Sequence, residues 1–214
     1  MKYMTQEDWS LAARSWVGEN LQKHTQHIPV FESEGLVVKI NKRKAGGHGV
    51  LSRTNLFDEE LAKITDTVRL DYGKGVDGML YCLYTIEENE PVPIYVGIAR
   101  AIGHTGKLSV LFMNSRKKPR FDDYDGYHIG DLSTQIVPGY TKMKACKKVW
   151  ADHMFSNAPS LNPKLCKEVY FWGKAWSTSD MSVVSNLGHT PLFLEESLLV
   201  HAFRTAYPNR LLNR

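Results

Sequence analysis

Apolar positions recur at two different periods along this chain, and the change of period divides it. From residue 5 to 24 the spacing is helical. Trp9, Ala13, Trp16, Val17 and Leu21 fall on one face, with Thr5 placed to cap and Glu7 and Asp8 in the first turn. Residues 35–40, Gly-Leu-Val-Val-Lys-Ile, read as a strand that runs into a glycine-rich, basic loop from Asn41 to Gly49. A second helix fits Asp58 to Thr67. Two apolar, tyrosine-bearing runs follow, Leu80-Tyr81-Cys82-Leu83-Tyr84 and Pro93-Ile94-Tyr95-Val96-Gly97, around the polar Glu87-Glu88-Asn89-Glu90. That pattern predicts a β-hairpin from about Gly78 to Ala99. A turn centred on Glu88 and Asn89 sets Tyr81 opposite Val96 and brings Tyr81 and Tyr95 close across the ladder.

Residues 101–165 are the least regular part, with a helix-like, lysine-bearing stretch (Lys142, Lys144, Lys147, Lys148) ending near Phe155. A third strand spans 168–176. Thr190-Pro191 then opens a last helix, threonine as cap and proline at the first helical position, running to about Ala206. The order after the first 75 residues is strand, strand, helix, strand, helix. No internal repeat or low-complexity tract interrupts it.

Composition narrows the class. The chain has 214 residues, 43% hydrophobic and 23% charged, enough for a core and against wholesale disorder. A net charge of +4 and a pI near 8.8 permit a nucleic-acid partner without requiring one. Three cysteines, Cys82, Cys146 and Cys166, with no C-x-x-C pair, argue against a disulfide framework or a thiolate zinc site. No secretory signal and no membrane-spanning run is read, so the expected location is cytoplasmic. The basic loop lacks the G-K-[ST] ending of a phosphate-binding loop.

The chemistry-bearing positions lie around the hairpin and in the last helix. That helix carries Glu195 and Glu196 ahead of an apolar stripe. Taken alone, such glutamates serve the helix dipole. Together with the L-Y of Leu80-Tyr81 and the Y-V-G of Tyr95-Val96-Gly97, however, the arrangement resembles the GIY-YIG nucleases. In that family a glutamate on the helix after the third strand binds a divalent metal, and both Glu195 and Glu196 fit its surroundings. The terminal proline and asparagine of the family correspond to Pro208 with either Asn209 or Asn213. The family arginine corresponds to Arg100, which with His104 has an R-x-x-x-H spacing but starts close behind Tyr95, or to a later cation, Lys107 or Arg116.

The resemblance implies an α/β fold. Its core would be a small three-stranded antiparallel sheet flanked by helices, with an N-terminal extension (1–75) and an insertion at about 105–165 in a core spanning 76–214, all within a single domain. It implies a phosphodiesterase: a Mg2+- or Mn2+-dependent endonuclease acting on double-stranded DNA. The additions to the core resemble those of type II restriction enzymes of the family, which would act as homodimers on DNA. Tyr81, Tyr95, Arg100, His104, Lys107, Asn209 and Asn213 are then the candidate catalytic residues. Glu196 and Glu195 are the candidate metal ligands. Lys42, Arg43, Lys44, Arg116, Lys117, Lys118 and Arg120 are candidate DNA contacts, although a charge run is usually a solvated face. The alternatives are a repair, homing or phage-type nuclease of low specificity, or a DNA-binding module whose chemistry has been lost.

Overall fold

The structure, a computed structural model, describes residues 3–23, 26–42, 49–102, 108, 112, 129–140 and 145–213. Its centre is a hairpin of two long strands, which we number with the short strands in chain order: β6 (Val76–Glu87) and β7 (Glu90–Arg100). Glu88 and Asn89 both take positive φ, 51° and 67°, the backbone of a two-residue turn whose twist matches the flanking strands. Strand β8 (Tyr170–Ser177) pairs antiparallel with the other side of β6. The sheet has four strands rather than the expected three, because β1 (Ile28–Pro29) adds to the far edge of β8, giving the order β1-β8-β6-β7. Two small hairpins stand apart, β2 (Ser33–Glu34) with β3 (Val37–Val38), and β4 (Ile40–Lys42) with β5 (Gly49–Leu51). The single strand expected over 35–40 is therefore split. Gly35, at φ 60°, turns the chain back between β2 and β3.

Helices cover both faces of the sheet. On one face lie α2 (Asn55–Asp71), α3 (Ile129–Ile136) and α4 (Ala145–Met154), packed on Met79, Tyr81, Leu83, Tyr95 and Phe171. Helix α2 is longer than expected because Thr54 caps it, accepting from the Phe57 N–H at 3.1 Å, and Leu61, Ile64 and Val68 continue its buried stripe. On the other face lie α1 (Gln6–Val17) and α5 (Leu192–Ala206), packed on Leu80, Cys82, Tyr84, Val96, Trp172 and Trp176. Helix α1 starts at the expected threonine. The Thr5 hydroxyl accepts from the Asp8 N–H at 3.2 Å, while the Asp8 carboxylate accepts from the Thr5 N–H at 2.8 Å. It continues as a five-residue π-helical turn, Gly18–Gln22, that buries Leu21. Helix α5 starts one residue later than expected, with Pro191 in the capping position and Thr190 before it.

Residues 1–75 supply α1 to one face, α2 to the other, and an edge strand. No helix among the described residues is long and apolar enough to cross a membrane.

Candidate active site

Tyr81 sits in the central strand with its ring buried, and its neighbours follow from the register. Up to Tyr84↔Pro93 the hairpin pairs as the Glu88-Asn89 turn dictates. There β7 carries one extra residue, and the next pair is Leu83↔Tyr95. Tyr81 therefore lies opposite Gly97, not Val96. The correction has a chemical consequence, because directly opposed residues share a face and the next residue along a strand points away. Unbulged pairing would set Tyr81 and Tyr95 on opposite faces. The bulge puts them on the same one, with ring centroids 5.9 Å apart.

Gly97 makes room for this. A methyl group at its α-carbon would stand 2.5 Å from the Tyr81 hydroxyl oxygen and 2.8 Å from Tyr95 Cε1. The Tyr81 ring thus lies across the glycine. Phe171 of β8 stacks behind Tyr81 at 6.3 Å, and Trp150 of α4 packs on Tyr95 at 4.4 Å. Tyr84 belongs to the opposite face. Its hydroxyl is 3.1 Å from His27 Nδ1, and burial pushes its pKa well above the ordinary 10.

The carboxylates lie across the sheet from this pair. Glu195 is fully buried, and both its oxygens are occupied. One accepts from the Val183 N–H and the other from the Thr190 hydroxyl, each at 2.8 Å. It anchors the loop between β8 and α5, which explains why Thr190 turns toward the helix instead of capping it. Glu196 is half-buried and makes no hydrogen bond or ion pair among the described residues. Burial raises its pKa, and the nearby Arg100 guanidinium opposes the rise. Arg100 is exposed at the end of β7, 5.8 Å from the centre of the Phe193 ring of α5. Arg100 and Glu196 thus form one group and Tyr81 and Tyr95 another, with the sheet between them.

Of the two asparagines, Asn213 is the one that touches the hairpin. Its side chain accepts from the Val96 N–H at 2.9 Å and donates to the Val96 carbonyl at 2.7 Å, while the Leu212 N–H donates to the Ile94 carbonyl at 2.7 Å. This tail closes the outer edge of β7 over the Y-V-G segment. Arg204 of α5 holds it by donating to the Asn213 carbonyl. Asn209 is exposed in the turn after α5, at φ 63°.

Arg43, Lys44, His104, Lys107, Arg116, Lys117, Lys118 and Arg120 lie outside the described residues, as does the Lys42 side chain. Sequence reasoning missed Trp150. It stands in a lysine-bearing stretch, and the only signal was its spacing from Met154 on the buried side of α4. Among the described residues, no three His, Cys, Asp or Glu side chains converge as a metal site would require. No protein family, curated protein or solved structure compared with this chain matches it.

Proposed function

We propose that the chain is a divalent-metal-dependent DNA endonuclease of the GIY-YIG type, acting as a type II restriction enzyme and cutting duplex DNA as a homodimer. The observation that carries this reading is the tyrosine pair. A one-residue bulge and a glycine with no room for a side chain set Tyr81 and Tyr95 together on one face of a central hairpin. The strand order of the three long strands, β7-β6-β8, and the asparagine clamp on the Y-V-G strand add to it.

A phosphodiester is negatively charged and becomes more so as water adds. The chemistry therefore asks for a hydroxyl that orients the water and cations that clamp the non-bridging oxygens. A tyrosine, with an ordinary pKa of about 10, serves as a base only beside positive charge. Lys107, Arg116, Lys117, Lys118 and Arg120 follow β7 in the chain and are candidate cations for that task, with His104 as a candidate base.

Glu196 is the carboxylate that suits a metal. It has no hydrogen-bonding partner among the described residues, and magnesium that keeps its waters takes only one or two protein carboxylates. When bound, such an ion neutralises charge on the scissile phosphate.

The placement of Glu196 across the sheet from Tyr81 favours a second reading, a DNA-binding module on the same scaffold without the chemistry. One experiment separates the two: incubation of the full chain with unmethylated phage DNA and magnesium, with a chelator control. Discrete bands that vanish in chelator support the restriction enzyme, and a smear supports a nuclease of low specificity. Intact but gel-shifted DNA supports the binding module, and DNA neither cut nor shifted rejects both. In an active enzyme, Tyr81→Phe should slow cutting by ~10²- to 10⁴-fold with DNA binding retained.

A further inference from the structure

Beneath the tip of the β6–β7 hairpin, on the tyrosine face, a cavity of about 130 Å³ opens between the strands and the end of α4. Its floor is apolar: Ile94, Met154 and Val169. Its rim is ionic. One oxygen of Glu87 is 2.9 Å from Lys167 Nζ and the other is 2.9 Å from the Arg210 guanidinium. Two cations thus share one carboxylate, with Glu90 opposed to Glu87 across the hairpin. Each cation also keeps donors that Glu87 does not use, since an ammonium carries three and a guanidinium five. Both side chains are about half exposed, at 48%.

Thr85 also lines the cavity. It is 6% exposed, yet its hydroxyl oxygen has no hydrogen-bonding partner among the described residues. An orphaned buried hydroxyl is destabilising and calls for an explanation such as a bound water, ion or ligand. His153 of α4 completes the wall. Burial and the Arg210 charge hold its pKa below the ordinary 6.5, with Lys167 adding to the effect and Glu87 opposing it.

We infer that this cavity binds a phosphate-class oxyanion, held by Arg210 and Lys167 against the Thr85 hydroxyl and the His153 ring. The donors that Glu87 leaves unused on Lys167 and Arg210 select an anion and match its oxygens. The volume exceeds the ~30 Å³ that one water occupies in the liquid, so a single ordered water under Thr85 does not fill it. Thr85 is four residues from Tyr81 on the same strand and face, about 13 Å at the usual strand rise. The oxyanion comes either from free phosphate or from the backbone of a nucleic acid lying along the tyrosine face. The site does not depend on the nuclease reading.

The test is titration of inorganic phosphate into the full chain, followed by NMR of the His153 ring, whose signals are assigned by comparison with His153→Gln. Saturable shifts are expected, with the ring titrating at higher pH once the anion is bound. Thr85→Val removes one hydroxyl at nearly constant shape. It should leave the fold as stable as before or more so while weakening phosphate by about tenfold, as should Arg210→Gln. Glu87→Gln, which frees both cations, should tighten binding, an effect that a purely structural ion pair would not give. Duplex DNA that displaces phosphate from His153 supports the site with a backbone phosphate as its occupant. Duplex DNA that does not compete supports the site with free phosphate. Absence of saturable His153 shifts with both phosphate and duplex, or shifts that all three substitutions leave unchanged, overturns the inference.

Discussion

Gly97→Ala is the perturbation that most directly tests how the tyrosine face is built. Gly97 does not occupy a left-handed backbone conformation, so the substitution carries no backbone strain and acts only through its methyl group. That methyl would stand 2.5 Å from the Tyr81 hydroxyl oxygen and 2.8 Å from Tyr95 Cε1, against the 3.4 Å or more of ordinary contact. Neither ring can simply yield. Tyr81 is backed by Phe171 and Tyr95 by Trp150, and both tyrosines are buried. Overpacking of this kind costs roughly 1–3 kcal/mol. For a chain of this size each kcal/mol moves Tm by about 2–4 °C, so the variant should melt roughly 2–12 °C lower.

The cost should also depend on the ring. In a Tyr81→Leu background, where neither Cζ nor the hydroxyl remains and only the Tyr95 contact is left, adding Gly97→Ala should cost less. Urea denaturation of the four proteins of this cycle should then give a coupling energy of about 1 kcal/mol or more. A Gly97→Ala chain that melts within a degree of wild type, or a cycle that is additive within error, would refute the packing argument. It would also remove the physical basis for Tyr81 and Tyr95 acting together.

Further outcomes follow from the same contacts. Glu195→Gln puts an amide where two donors converge in a buried site and should destabilise by about 1–3 kcal/mol in denaturant titrations, whereas Glu196→Gln should not destabilise at neutral pH. Because burial raises the pKa of Glu196 in the fold, its contribution is fully present below the ordinary 4.5 and is lost as pH rises through the folded value. Glu196→Gln should flatten that part of the stability–pH curve, and an unchanged slope would count against the buried placement. Asn213→Ala removes two hydrogen bonds from the edge of β7, which should cost about 1–2 kcal/mol and speed hydrogen exchange at the Val96 amide. Slow exchange at Val96 in that variant would mean the tail does not close the edge. Cys82 is wholly buried, which pushes its thiol pKa far up, while Cys166 is exposed, so a thiol reagent should label Cys166 in the native protein and Cys82 only after unfolding.

The strong local signals were legible in the sequence, and the positions where the chain departs from local rules were not. The hairpin, its turn at Glu88-Asn89, the third strand and the last helix could all be read, because alternation or helical spacing runs through each. The register could not, since nothing in Pro93-Ile94-Tyr95 announces which residue is extra. That one residue decides whether two tyrosines share a face. Pro91 and Pro93 did carry a usable hint, because a strand bearing prolines belongs at a sheet edge, and β7 is one. Strand β1, at two residues, is too short for any period to show. The two glutamates look alike in sequence because adjacent helical residues share the same local pattern. Only the loop around Val183 and Thr190, folded back over α5, separates them. For the same reason the sequence order of tyrosine, arginine and glutamate suggested one site, whereas the sheet puts them in two groups.

The pairing of α1 with α5 has a consequence for how the molecule is made. Trp16 meets Phe203 edge to face at 5.3 Å, and Ala13, Val17 and Leu21 share one buried cluster with Leu199 and Ala202. On the ribosome, residues 13–21 emerge early, and their partners on α5 emerge some 180 residues later. Until then the cluster that Trp16 shares with β6 lacks the α5 half of its cover. The two helices therefore close on each other through a contact of very long sequence separation, which makes folding slow. The Asn213 clamp on Val96 can form only after residue 213 has been made, so the outer edge of β7 stays unsealed until then. A chain interrupted before that point would carry the tyrosines on an unsealed edge, open to pairing with another strand instead of with its own tail.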